Sequence, residues 1–70
     1  MRINPKKLGK NIKKLRLKTG LSQEDLAIKA SLRLSNLSKL EGGFNSNPTL
    51  ETLMNLAGTL SNGSVDALIS

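Results

Sequence analysis

The sequence predicts an all-α domain of five short helices, with all 70 residues in a single domain. Apolar residues, mostly leucine, recur three or four residues apart in several short stretches, which is the spacing of one helix face. Asn, Ser, Pro or Gly stands at the ends of these stretches, where such residues begin or end helices. Two stretches, within about residues 22–42, follow one another almost without a linker. The domain is therefore expected to be organised around two tightly joined helices.

The first helix is predicted to begin at Asn4-Pro5, because asparagine caps helices and proline fits the first helical position. Its apolar stripe consists of Leu8, Ile12 and Leu15. Gly20 supplies a stop, and Leu17 lies off the stripe, so we expect Leu17 to be partly exposed. A membrane-surface helix is the alternative use of this stretch, but it contains no aromatic residue to anchor it at the interface.

The second helix is predicted from Ser22 to Ala30. Ser22 is the expected N-cap, and Glu24 and Asp25 follow in the first turn, where acidic groups suit the positive end of the helix dipole. The small apolar face of this helix consists of Leu26, Ala27 and Ala30. Leu21, directly before the cap, is expected to pack against the helix as a staple.

The third helix is predicted over about residues 33–41, with Gly42-Gly43 available to end it. Its inward-facing residues are Leu37 and Leu40. Only Ser31 and Leu32 join it to the second helix, so the two helices must cross steeply, and Ala27 offers the small side chain that a close crossing needs. This is the helix-turn-helix pattern, in which the second helix of the pair enters the major groove of DNA.

The last third of the chain begins with the loop GGFNSNP. Its Phe44 is the single aromatic residue, and we expect it to fill the core beneath the loop; a surface contact with a partner is the alternative. A fourth helix is predicted to start at Pro48-Thr49. Its apolar face consists of Leu50, Leu53, Leu56, Ala57 and Leu60. Ser61-Asn62-Gly63 ends this helix, and Ser64 is predicted to cap a last short helix over residues 65–69.

Charge is distributed unevenly along the chain. Residues 1–18 hold eight of the eleven lysines and arginines and no acid, whereas residues 19–70 hold three basic and five acidic residues. A strongly basic end favours a polyanion, either nucleic acid or an anionic membrane. Taken alone, the charge is explained equally well by a solvated lysine face that aids solubility. Beside a helix-turn-helix, the charge favours DNA.

The composition argues against several other classes of function. The sequence has no His, Cys or Tyr, so no histidine can activate a serine nucleophile and no thiolate can bind a metal. Its five carboxylates form no cluster, and no phosphate-binding glycine motif is present. We therefore predict a non-enzyme with no cofactor and no metal, and the sequence shows no readable small-molecule site. No apolar run is long enough to span a bilayer and no signal-peptide core is present, so we expect no membrane association and a cytoplasmic location.

Five blocks follow one another in a specific order and spacing: LGKNIKKLRLKTG, LSQEDLA, the segment from Ala30 to Glu41, NPTLETLMNLAGTL and SVDALI. Together they resemble the phage-repressor/Cro-type (xenobiotic response element type) helix-turn-helix family over residues 8–69. The resemblance implies a compact five-helix, lambda-repressor-like domain. It also implies sequence-specific binding of double-stranded DNA by a homodimeric transcriptional regulator, most simply a repressor, associated with a prokaryotic or phage nucleoid.

The resemblance assigns base-contacting residues by position. The candidates are Arg33, Leu34, Ser35, Ser38, Lys39 and Gln23. The candidates for contact with the DNA backbone are Lys10, Lys13, Lys14, Ser22, Asn36, Asn45 and Asn47. Arginine or lysine donates to guanine, and leucine contacts a thymine methyl group. Ordinary helix surface is the alternative for Ser35 and Ser38, and a core or partner contact is the alternative for Leu34.

The family pattern also implies an ion pair between Arg16 and Glu41. The sequence motivates the same pair, because an acid in the last turn of a helix needs a compensating cation. Two positions depart from the pattern: Ser31 stands where the turn usually has glycine, and Arg33 where the third helix usually has a Ser or Thr cap. The loop before Pro48 is also one residue longer than in most members. A protein-interaction module of the same fold, such as a small antitoxin or coactivator-like domain, is the alternative function.

Overall fold

The structure, a computed structural model, describes residues 3–44 and 47–70, and this part of the chain contains helices but no strand. The helices are α1 (Pro5–Lys18), α2 (Gln23–Lys29), α3 (Leu34–Glu41), α4 (Leu50–Leu60) and α5 (Asp66–Ile69). The prediction of an all-α, five-helix fold is therefore confirmed. Each boundary lies within one or two residues of its predicted place.

Side-chain caps begin three of the helices. The Asn4 side chain accepts hydrogen bonds from the backbone N–H groups of Lys6 and Lys7, at 3.0 and 3.2 Å, and proline occupies the first helical position. Ser22 and Asp25 form a reciprocal capping box at the start of α2. The Thr49 hydroxyl accepts from the backbone N–H of the first turn of α4. These caps satisfy N–H groups that have no partner inside the helix.

The first three helices end in the same hydrogen-bonded turn. The residue after the C-cap has a positive φ in each turn: Gly20 at +77°, Ser31 at +57° and Gly43 at +80°. Its N–H bonds back to the helix, and the N–H of the next residue bonds to the carbonyl five positions earlier. This is the Schellman motif, which favours glycine at the left-handed position because glycine has no Cβ. Among these three turns, a serine holds that position only between α2 and α3.

The core is aliphatic and draws on all five helices. α1 packs against α3, α4 and α5, and α2 packs against α3 and α4. The buried apolar residues are Leu8, Ile12, Leu26, Ala27, Ala30, Leu37, Leu40, Leu53, Leu56, Ala57, Leu60 and Leu68. Leu15 and Leu21 are half-buried against this cluster, and Leu17 is exposed, as predicted.

A glycine allows α1 and α3 to approach closely. A Cβ built on Gly9 would lie 2.4 Å from the backbone oxygen of Leu40 and 2.7 Å from that of Glu41. Both distances are far shorter than any real Cβ contact, and backbone atoms cannot rotate away as a side chain can. The last turn of α3 therefore rests directly on the backbone of α1 at this point.

Two predictions about apolar side chains were wrong. Phe44 is 84% exposed and does not fill the core. Its N–H is bonded to the Lys39 carbonyl in the turn that ends α3, and its ring lies against Gly42 on the outside of that turn. Leu50 is 67% exposed because it is the first residue of α4. Helical side chains lean toward the N-terminus, so this one projects beyond the packed part of the helix.

The predicted cap of the last helix was also wrong. α5 has Val65 as its N-cap and no side chain makes a capping hydrogen bond there. Ser64 instead contributes its carbonyl, which accepts a hydrogen bond of 2.7 Å from the Ser61 hydroxyl. Val65 already has helical φ and ψ angles, so the chain enters α5 without the extended residue that a serine cap requires.

Candidate nucleic-acid interface

The α2–turn–α3 unit is held by hydrogen bonds and by burial. The Leu32 N–H donates to the Ala27 carbonyl at 2.8 Å, which closes the turn around Ser31. Ala27, the small residue predicted at the helix crossing, is buried, and α2 packs against both α3 and α4. Leu32 is half-buried against the same core. The unit is therefore fixed in orientation by backbone bonds and apolar packing together.

An ion pair beneath this unit ties it to α1. The Arg16 guanidinium donates from Nε to Glu41 Oε2 at 2.7 Å and from its Nη2 to Glu41 Oε1 at 3.1 Å. A third bond, from Nη1 to the Leu21 carbonyl, anchors the segment before α2. The side chains of Arg16 and Glu41 are only 10% and 3% exposed. This paired, fork-like geometry confirms the predicted ion pair and holds α1, α2 and α3 at one point.

Gln23 extends this ion pair toward the surface. Its amide nitrogen donates to Glu41 Oε1 at 3.1 Å, and its amide oxygen accepts from the Ser38 hydroxyl at 3.2 Å. Residues 23, 38 and 41 belong to two helices and no local sequence pattern pairs them. A helical wheel of α3 places 38 and 41 on one side, but only the packing of α2 brings Gln23 to that side.

The exposed face of α3 lies opposite its two buried leucines. Ser35, Ser38 and Lys39 are exposed and are neighbours at three- and four-residue spacing, so they form one continuous patch. Leu34 is 46% exposed and lies one turn before Ser38, on the side facing α2. A core position for Leu34 is thereby excluded. Asn36 is exposed on the other flank of the helix.

The start of α3 lacks a side-chain cap. Arg33 is the N-cap residue, with extended φ and ψ angles, and makes no capping hydrogen bond. The helix consequently starts at Leu34, one residue later than predicted, and the exposed Arg33 side chain is not used to close the helix end.

The candidates for contact with the DNA backbone are dispersed over several elements. Lys10, Lys13 and Lys14 are exposed along α1. Ser22 is exposed as well, but its hydroxyl accepts the Asp25 N–H at 3.0 Å, so the capping box already uses it. Asn47 is exposed, and Asn45 lies outside the described residues.

A further contact was not foreseen from the sequence. The Asn11 side-chain amide donates to the Leu68 carbonyl at 2.8 Å, which links α1 to α5 across a separation of 57 residues. Asn11 is half-buried, but it lies among lysines in the sequence, and no pattern there predicts its burial.

Residues 3–44 and 47–70 enclose no pocket and bring no three His, Cys, Asp or Glu residues together as a metal site. No helix among them has the length and apolar character needed to cross a membrane.

Comparison with known proteins agrees with the helix-turn-helix arrangement. The DNA complex of SinR, a master regulator for biofilm formation, has a protein chain that superposes with a TM-score of 0.83 and 33% identity, over 90% of this chain and 98% of that one. The N-terminal DNA-binding domain of SinR from Bacillus subtilis gives the same TM-score and identity, with 90% of each chain covered. No curated protein sequence matches the chain.

A second regulator shows equal similarity. The restriction-modification controller protein C.AhdI from Aeromonas hydrophila has 33% identity and a TM-score of 0.82, over 90% of this chain and 92% of that chain. Residues 12–66, more than three-quarters of the sequence, match the model of the helix-turn-helix family HTH_3. The chain therefore belongs to this helix-turn-helix family.

Proposed function

We propose that the protein binds specific sites in double-stranded DNA as a transcriptional regulator, with α3 in the major groove. The observation that carries this proposal is the exposed patch of Ser35, Ser38 and Lys39, which faces outward from the hydrogen-bonded α2–turn–α3 unit. Its hydrogen-bonding side chains stand on a helix of the width that the major groove admits. SinR, a DNA-bound relative of the same fold, supports the same conclusion.

The side chains around this patch supply complementary contacts to bases. Lys39 and Arg33 are donors suited to the O6 and N7 atoms of guanine. Leu34, exposed at the first turn of α3, suits a thymine methyl group. A serine hydroxyl can hydrogen-bond to either a donor or an acceptor on a base edge. Which bases Ser35 and Ser38 prefer therefore depends on the neighbouring side chains.

The basic surface of α1 provides affinity without sequence preference. The chain has a net charge of +6, and the exposed Lys10, Lys13 and Lys14 lie on a helix that packs directly against α3. Cations so placed suit phosphates flanking the groove and release counterions on binding. Ser22, Asn36, Asn45 and Asn47 complete the proposed set of backbone contacts.

We further propose a symmetric homodimer that acts most simply as a repressor in the cytoplasm. Two copies related by a two-fold axis would place their α3 helices in successive major grooves, about 34 Å apart. A palindromic site with half-sites one helical turn apart is the expected consequence.

Selection from a random double-stranded DNA library tests this function. We expect enrichment of a palindrome whose half-sites have about 10 base pairs between centres. A triple variant, Ser35→Ala with Ser38→Ala and Lys39→Ala, is the matched control, because these side chains are exposed and their loss should leave the fold intact. Featureless enrichment by the unaltered protein would contradict the proposal and favour the protein-interaction alternative.

A further inference from the structure

The hydrogen bonds that connect the ion pair to α3 have a defined direction. Glu41 is bound by Arg16 through both carboxylate oxygens. An ionised carboxylate only accepts hydrogen bonds. The Gln23 amide group 3.1 Å from Glu41 Oε1 must therefore present its nitrogen, which donates, to Glu41. This removes the usual ambiguity between the two ends of a glutamine amide.

The direction continues from Gln23 to Ser38. With its nitrogen held by Glu41, the Gln23 amide turns its oxygen toward Ser38, 3.2 Å away. An amide oxygen only accepts, so the Ser38 hydroxyl must donate its single proton to it. Two lone pairs remain on the Ser38 oxygen, and this side chain is exposed on the outer face of α3. Toward a ligand in front of α3, Ser38 is thus an acceptor only.

We propose that Ser38 accepts a hydrogen bond from a base amino group, adenine N6 or cytosine N4, and that Gln23 positions it for this contact. The inference rests on the proposed DNA-binding function and deepens it. The groove edge offers amino donors only on adenine and cytosine, while guanine O6, thymine O4 and the purine N7 atoms are acceptors. A serine whose hydroxyl proton had no partner in the protein could bond to a donor or to an acceptor on the base edge. Gln23 itself is a positioning residue rather than a base contact.

The same chain of bonds assigns a second role to the ion pair. Arg16 holds Glu41, Glu41 orients Gln23, and Gln23 fixes the proton of Ser38. The interaction that joins three helices thereby also sets the hydrogen-bonding preference of one base-contacting side chain. Lys39 and Arg33 do not take part in these bonds, and their base preferences should not depend on Gln23.

Base analogues test the proposed hydrogen bond with the unaltered protein, once a variant has located the base pair. The base pair that Ser38 contacts is located first, as the position at which Ser38→Ala loses preference among single-base variants of the selected site. At that pair, adenine is replaced by purine, or cytosine by 2-pyrimidinone, each lacking only the amino group. In separate duplexes, the purine of the pair is replaced by its 7-deaza form. We expect loss of the amino group to weaken binding about 2- to 12-fold, the worth of one hydrogen bond, and the 7-deaza replacement to have little effect.

Protein variants test the role of Gln23. Gln23→Met keeps the length of the side chain but removes both the donor and the acceptor. We expect it to reduce the dependence on the amino group at the same base pair, because the freed Ser38 hydroxyl can then also donate to a base acceptor. The double variant with Ser38→Ala should show no preference at that pair. Preferences at the other base pairs should be unchanged, which a loss of stability alone would not produce. Thermal unfolding of each variant measures that stability separately.

Three results would overturn the proposal. One is binding that depends on N7 and not on the amino group. Another is a Gln23→Met variant that changes a different base pair or leaves the Ser38 pair as in the unaltered protein. The third is the absence of any selected site, which overturns the proposed function as well, whereas the first two leave DNA recognition by α3 intact.

Discussion

Ser31 occupies a backbone conformation that disfavours it. Its φ of +57° lies in the left-handed region, where a Cβ atom crowds the following carbonyl at a cost of about 1–2 kcal/mol. The family pattern usually has glycine at this position, and the two other turns of the same type in this protein have it too. The turn keeps its shape because Leu32 packs on the core and bonds to Ala27. Packing thus outweighs a local strain.

Ser31→Gly should therefore stabilise the protein by about 0.5–1 kcal/mol, since relief of the strain exceeds the extra freedom that glycine has in the unfolded chain. Chemical denaturation monitored by circular dichroism measures the change. Asn62→Gly is the matched control, because Asn62 also has a positive φ, +53°, but asparagine tolerates that region. Asn62→Gly should therefore stabilise the protein less than Ser31→Gly does. A loss of stability for Ser31→Gly would contradict the role given to the turn.

Removing the Glu41 carboxylate should change the stability of the protein far more than the substitution of Ser31 does. Glu41→Ala leaves the Arg16 guanidinium buried without its partner and takes the acceptor from Gln23, and loss of one member of a buried pair costs about 3–5 kcal/mol. Thermal unfolding should show a large fall in Tm. Glu51→Ala, at an exposed position in the first turn of α4, should cost less than about 1 kcal/mol. Equal Tm values for the two variants at low salt would refute a structural role for the pair.

At the scale of the helices, the contact of α1 with α3 depends on the absence of a side chain. α1 carries leucine, isoleucine and arginine on its buried face, yet Gly9 lies in the middle of that face. Glycine normally weakens a helix interior by about 0.5–1 kcal/mol relative to alanine. Here it lets the carbonyls of Leu40 and Glu41 approach the α1 backbone, which places Glu41 within reach of Arg16. The close packing of the two helices offsets the lower helix propensity.

Gly9→Ala should thus destabilise the protein by about 1–3 kcal/mol, as over-packed cores do, despite the better helix propensity of alanine. Gly58→Ala is a control of opposite sign, because Gly58 is exposed in α4 and a Cβ there would meet no atom within 4 Å. It should gain about 0.5–1 kcal/mol. Urea unfolding of both variants gives the comparison. Stabilisation by both substitutions would mean that α1 and α3 are not in close contact.

At the scale of the whole molecule, we expect the positive charge and the recognition of bases to lie on different helices. The exposed lysines of α1 carry most of the positive charge, and the patch on α3 carries the groups that we propose distinguish bases. Phosphate contacts act through counterion release and carry no base information, whereas contacts to base edges do. We therefore expect α1 to contribute affinity for DNA and α3, packed against it, to contribute specificity.

Neutralising Lys10, Lys13 or Lys14 should weaken binding to specific and random DNA together. For each of these lysines that binds a phosphate, its neutralisation should reduce the salt slope of log K by about 0.9. Arg33→Ala or Lys39→Ala should instead relax preference at one base pair per half-site, by about 1–3 kcal/mol. Competition binding at fixed salt against every single-base variant of the site measures the change in preference, and a salt titration of each lysine variant measures the slope.

The charge-matched control for this series is Lys29→Gln, at an exposed position in the last turn of α2, which belongs to neither proposed set. Its effect should be the smallest of the series. Uniform loss of affinity for all sequences in Arg33→Ala and Lys39→Ala would mean that α3 does not distinguish bases, and the protein-interaction alternative would then be preferred.

The sequence by itself determined the helices and most of the core. Asn4, Ser22 and Gly20 act on backbone groups within about five residues, so their effects are visible in the chain. The leucines mark the buried faces because their spacing of three or four residues is also a local pattern, visible in the chain. The Arg16–Glu41 pair spans 25 residues, and it was predictable because the family resemblance implied it and an acid at a helix end needs a cation.

Only the tertiary structure decided the contacts that depend on how helices lie against one another. The bond of Gln23 to Ser38 spans 15 residues, that of Asn11 to Leu68 spans 57, and the clearance at Gly9 depends on α3. The outward place of Phe44 follows from the turn that ends α3 and from a core already filled by aliphatic side chains. A local pattern specifies which face of a helix is apolar. It does not specify the rotation and position of the helix that meets that face, because these result from packing all five helices at once.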